Sequence, residues 1–171
     1  MSHEPAKPRV MVTARAVLLH RGRVLLLRAE EPGREYYFLP GGMVRHGERM
    51  EDACVREVAE ETGIEVRVLR PLYFREFIAA RHRRRARGMP EHHHVVALVF
   101  LCEVAGPQAQ QDCEALGAFQ RDTGAGTVTG LCWKTMAEVE GIEIHPPQVR
   151  ETLLRGIKPA EAGIQYWPEE A

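Results

Sequence analysis

The chain has 171 residues, 44% of them apolar and 27% charged, with a formal net charge of -1. That length suits one domain with a substantial core, and the near-zero charge excludes a general nucleic-acid coat protein. No apolar run approaches membrane-spanning length, and the polar, proline-bearing start (Met1–Arg9) does not read as a signal peptide, so neither a membrane nor a nucleic-acid partner is expected. Cys54, Cys102, Cys113 and Cys132 form no C-x-x-C pair, which points to reduced thiols in a cytoplasmic protein.

Residues 1–8 read as a disordered lead, 9–158 as one domain and 159–171 as a tail. Two apolar β-forming runs, Arg9–Leu19 and Val24–Leu27, flank the turn residues His20–Arg23 and predict a hairpin. A short strand over Tyr36–Leu39 stops at Pro40-Gly41-Gly42. A helix is expected from about Arg49 to Thr62, ended by Gly63. Strands follow over Ile64–Leu69 and Leu72–Ile78, interrupted at Pro71, and then a central strand over His94–Val104. Ala105–Gly130 has no clear period and reads as a long loop. A last short strand over Leu131–Lys134 and two helical segments, 137–140 and 148–155, complete the domain.

The chemistry is concentrated between Gly42 and Ile64. On a helix, Glu57, Glu60 and Glu61 stand at i, i+3 and i+4, so three carboxylates project from one side. Met50, Ala53 and Cys54 fall on that same side, and Val55, Val58 and Ala59 cover much of the remainder. A solvated helix separates charge from apolar residues. Here the acids extend an apolar stripe, so the helix is expected to be packed between layers with its charge compensated. Oxygen-only donors suit a hard cation, Mg²⁺ or Mn²⁺, and arginine is the other source of positive charge.

The segment resembles the Nudix hydrolase signature at each specified position: Gly42, Glu48, Arg56, Glu57, Val58, Glu60, Glu61, Gly63 and Ile64. A chance match in a chain this long is roughly one in ten million. The likeness extends to Phe38-Leu39-Pro40-Gly41 before the box and to Trp133 ahead of a Pro-Pro pair, covering most of residues 10–155. It implies an α/β/α sandwich with a mixed β-sheet, and metal-dependent hydrolysis of a nucleoside diphosphate joined to another group. It also implies Glu57, Glu61 and Glu60 as metal ligands and catalytic residues, Gly42 as a backbone-carbonyl ligand beside Gly41, and Arg56 as the residue orienting a glutamate. For Glu48, ligand support and pairing with the helix dipole both stay open. A general base from beyond the box stays open too, among Asp112, Glu114, Asp122 and the box glutamates. Strand-rich relatives are often homodimers. The alternative is a Nudix-fold module that binds a nucleotide without turnover, but such modules commonly lose box carboxylates and this chain keeps all of them. Isomerisation of an isoprenoid diphosphate is a third option, disfavoured by the intact box.

Arginines 75, 81, 83, 84, 85 and 87 precede His92-His93-His94. A solvated loop is the plain explanation, yet arginine suits bidentate phosphate contact, so Arg75, Arg81 and Arg83 are candidates for substrate binding. On a strand, His92 and His94 would face one way and His93 the other, and one of them could reach a substrate pocket. Tyr36, Tyr37, Phe74 and Phe77 are candidates to stack a base or to fill the core.

Overall fold

The computed structural model describes residues 9–81, 90–117, 128–158, 160 and 163–167; the expected lead and most of the arginine-rich loop lie outside them. Strand β1 (Met11–His20) turns into β2 (Arg23–Glu31) through Arg21 and Gly22 alone, both at positive φ. That two-residue turn matches the right-handed twist of the paired strands and sets the register His20 opposite Arg23. Strand β3 (Arg34–Phe38) pairs with β2. The three-residue β4 (Gly41–Met43), which the sequence did not announce, pairs antiparallel with β1.

Helix α1 (Met50–Thr62) follows, with Glu51 and Asp52 in its first turn, where acids favour the helix dipole. It stops at Gly63, whose left-handed φ of 69° lets its N–H bond the Ala59 carbonyl. Strand β5 (Val66–Ile78) is one continuous element instead of the two expected. Its register slips beside Pro71 absorb the missing N–H, so the proline marks an irregularity and not a break. Strand β6 (His94–Val104) is central as expected, parallel to β1 and antiparallel to β5.

The segment after β6 carries 3-10 turns over Gly106–Gln110 and Cys113–Ala115. Strand β7 (Val128–Thr135) begins earlier than expected and pairs with β2. Helix α2 (Met136–Glu140) starts on a capping box between Thr135 and Glu138. A two-residue β8 (Ile144–His145) leads into α3 (Pro147–Arg155). Within the segment expected as a tail, β9 (Gln165–Trp167) adds a parallel edge to β5.

The sheet runs β8-β3-β2-β1-β6-β5-β9, with β4 and β7 as side branches on β1 and β2. Its two faces carry separate cores. Ala14, Ala16, Leu18 and Phe100 pack under Ala53, Cys54 and Val58 of α1. Val17, Leu26, Tyr73 and Val99 pack under Val139, Val149 and Leu153 of α2 and α3. The result is a mixed α/β fold, helix on either side of a curled mixed sheet. No helix among the described residues is long and apolar enough to cross a membrane.

Phe100 is the largest fully buried side chain, 2% exposed, and lies opposite Ala16 in the sheet beneath α1. Phe100→Ala is expected to lower unfolding free energy by about 3–5 kcal/mol. Denaturant titration checks this, and a loss under about 1 kcal/mol would mean α1 does not rest on that ring.

Candidate active site

The acids of α1 leave the core in steps. Glu61 is 6% exposed, and the side chains of Glu57 and Glu60 are 17% and 49% exposed. Ala53, Cys54 and Val58 are buried, while Glu51 and Asp52 face water. The expectation of a helix apolar nearly all round is therefore corrected: one side is solvated, and the acids line the seam between the two surroundings.

That seam closes on β4. At Gly41, φ is +130° and an added Cβ would stand 2.2 Å from the Ala14 carbonyl oxygen and 2.8 Å from Arg15 Cα. Only glycine lets the chain pass there. At Gly42 a Cβ would meet Glu57 Oε2 at 2.3 Å, so the Glu57 carboxyl lies directly over this residue. The Gly41 N–H donates to Glu61 Oε2 at 2.7 Å. Ala16 N–H bonds the Pro40 carbonyl and Val44 N–H bonds the Val12 carbonyl, with Gly42 paired to Ala14 between them. By the antiparallel alternation, the Gly42 carbonyl is turned to the Ala14 N–H. The expected role of Gly42 as a carbonyl donor thus meets a competing ladder bond, whereas the Gly41 carbonyl accepts from a side chain, Arg15 Nη1, at 2.5 Å.

Two arginines balance the acids. Arg56 donates to Glu48 at 2.7 and 2.9 Å, to Glu57 at 2.7 Å, to Glu60 at 3.1 Å and to the Met43 carbonyl at 3.0 Å. Arg56 thus touches three acids of the box. Hydrogen bonds from Arg56 and from the Arg45 N–H hold the Glu48 carboxyl down to about 2, and the same pairing raises Arg56 above its ordinary value. Both Glu48 oxygens are engaged, Oε1 by Arg56 and Oε2 by Arg56 and the Arg45 N–H. Arg15, absent from the expected residues, donates to the Leu39 carbonyl at 3.3 Å besides Gly41. Burial lowers its pKa, and the charges of Glu61 and Glu57 oppose that. Glu61 is pushed up to about 7, first by burial and further by Glu57 and Glu60, against the Gly41 N–H and Arg15.

Among the described residues no three carboxylates, imidazoles or thiols converge as a ready cation cage. The hydrogen bonds explain why: Glu57 and Glu60 turn to Arg56, and Glu61 turns to Gly41. The donors are nonetheless all oxygens, three carboxylates gathered on one side of α1. That chemistry fits a hard divalent cation.

A cavity of about 350 Å³ opens on the opposite face of β1, β5 and β6. Thr13, Arg15, Phe77, His93 and His145 are among its walls. Arg75 also lines it, with its guanidinium 5.3 Å from the centre of the Phe77 ring. Arg81 is exposed at the end of a 3-10 turn (Ala79–Arg81), and Arg83 lies outside the described residues. His93 lines the cavity while His94 bonds Glu76 at 2.8 Å; β6 starts at His94, so His92 and His93 precede the strand on which they were expected. Phe74 stacks on Tyr166 and Tyr37 is buried in the core, so of the candidate aromatics Phe77 reaches the cavity. Asp112 and Glu114 pair with Arg21 at 2.5 Å and Arg23 at 2.8 Å, at the hairpin end of β1. Six strand residues, roughly 20 Å, separate that end from the Gly42 level. They are too distant to serve the box, and Asp122 lies outside the described residues. The signal for Arg15 was available, since it interrupts the apolar run Val12 to Leu19. Nothing in the sequence marked Thr13 or His145.

Gly41→Ala collides with backbone and is expected to destabilise the fold, whereas Gly42→Ala should stay folded and displace only the Glu57 carboxyl. Circular dichroism melts of the two variants check the contrast, and equal melting temperatures would remove it. Because Glu61 keeps its proton to higher pH when folded than the ordinary 4.5, the metal-free protein should lose stability as pH rises from about 4.5 to 7, by at most about 3 kcal/mol. Glu61→Gln should flatten that slope in denaturant titrations across this range; an unchanged slope would assign it to another group.

A family model described as the NUDIX domain matches residues 9–151. An ADP-ribose pyrophosphatase of Methanocaldococcus jannaschii is 34% identical over 94 residues, 54% of this chain and 49% of that protein. The chain thus spans about half the length of this curated relative. Two crystal structures share the fold at TM-score 0.61. A UDP-X diphosphatase is 19% identical, with 95% of this chain and 69% of that one covered. A MutT NUDIX hydrolase from Burkholderia pseudomallei is 24% identical, with 88% and 99% covered. With the family model covering most of its length and the acids of α1 seated on the Gly41–Gly42 strand, the chain belongs to the NUDIX family.

Proposed function

We propose that this protein is a pyrophosphohydrolase that cleaves the diphosphate of a nucleoside diphosphate linked to another moiety, with Mg²⁺ or Mn²⁺ as cofactor. The observation that carries this proposal is the stepped row Glu61, Glu57, Glu60, with Glu61 on the Gly41 N–H and Glu57 over Gly42. Glu57, Glu60 and Glu61 would hold the cation, with the Gly41 carbonyl as a further oxygen beside the expected Gly42. A bound divalent cation supplies charge neutralisation on the diphosphate and a more acidic water.

The chain's own residues do the rest. Arg56 keeps Glu57 and Glu60 aimed, and Glu48 holds Arg56 in place. Glu61, seated on the Gly41 N–H at the buried end of the row, is our choice for the base that takes a proton from the attacking water once the loop acids are set aside. The cavity beyond Arg15 receives the nucleoside. The similarity to an archaeal ADP-ribose pyrophosphatase supports a nucleotide-sugar substrate. The four cysteines, none in a disulfide, suit a cytoplasmic setting.

A screen of nucleoside diphosphate derivatives in Mg²⁺, with product identification, should find one that yields a nucleoside monophosphate. Glu57→Gln and Glu61→Gln should each cut turnover at least about a hundredfold with the melting transition retained. Full turnover in both variants would refute the proposal.

A further inference from the structure

Two side chains of β1 meet the cavity without belonging to the acid-bearing helix. Thr13 and Arg15 are alternate residues of one strand, so they project from the same face, about 7 Å apart along it. Thr13 is 6% exposed, and its Oγ1 has no hydrogen-bond partner among the described residues. A hydroxyl shut away from water without a partner destabilises the fold. The wall positions across the sheet, Val95, Ala97 and Val99, are apolar, so packing alone does not call for a hydroxyl here. Arg15 commits Nη1 to the Leu39 and Gly41 carbonyls, while its Nε and Nη2 hydrogens bond no described residue. It stands at the junction of the cavity and the acids, felt by Glu61 and Glu57. A guanidinium anchored through one nitrogen and open at the others is suited to phosphate oxygens.

We propose that β1 carries a two-point recognition strip for the nucleotide portion of the substrate. Arg15 binds the phosphoryl group next to the nucleoside, and Thr13 Oγ1 hydrogen-bonds a polar edge of the nucleoside within the cavity. The strip rests on the hydrolase proposal for its place in catalysis, but its binding chemistry needs neither metal nor turnover. Thr13 carries specificity: a ligand with apolar bulk there leaves the hydroxyl unpaired, whereas one with a donor or acceptor satisfies it.

Nucleoside monophosphates and inorganic phosphate, titrated calorimetrically into the metal-free protein, test the strip separately from activity. At least one of AMP, GMP, UMP and CMP should bind. Thr13→Val should weaken that nucleotide about tenfold, leave inorganic phosphate unchanged, and keep the melting temperature equal or a few degrees higher. Arg15→Lys should weaken nucleotide and phosphate alike. A Thr13→Val variant that melts lower and binds as before would make the hydroxyl structural and overturn its half of the strip. Unchanged binding of both probes to folded Arg15→Lys would overturn the other half, as would a wild type that binds no nucleotide. Failure of the substrate screen with these binding results intact would count against the hydrolase proposal alone.

Discussion

The hydrogen bond from the Gly41 N–H to Glu61 joins the two halves on which this site depends, the helix that carries the acids and the strand that receives them. Without it a carboxyl 6% exposed would keep only the charge of Arg15 to offset its lost hydration. The bond fixes the height of α1 over β4. Glu57 then falls on Gly42, which has no side chain to exclude it. The geometry of the rest of the box follows from that contact.

Charge is handled with the same economy of parts. Arg56 gathers Glu48, Glu57 and Glu60 from the solvent side, and Arg15 reaches Gly41 from the cavity side. The cluster's negative charge is thus offset within the chain. It is held ready by two guanidiniums, at the cost of leaving its carboxylates turned outward onto arginine. A divalent cation would compete with the arginines for those oxygens.

Much of this was legible in the sequence because it depends on local spacing. The i, i+3, i+4 acids, the Gly63 stop and the hairpin around Gly22 require only neighbours along the chain. The family resemblance named the same cluster. What escaped depends on contacts between distant segments. β4 is a strand only because β1 lies beside it, and β9 only because β5 offers an edge. Asp112 and Glu114 looked available for catalysis until Arg21 and Arg23 claimed them. Arg15 was visible as a charge within an apolar run, but its meaning required the Gly41 carbonyl, 26 residues away.

The central claim is that the row of acids on α1 holds a hard divalent cation. Anomalous diffraction from crystals soaked in Mn²⁺ with a non-hydrolysable diphosphate analogue tests it most directly. The account predicts manganese at about 2.2 Å from carboxylate oxygens of Glu57 and Glu61, with Arg56 shifted off at least one of them. Crystals that bind the analogue and show no manganese at these oxygens would contradict it.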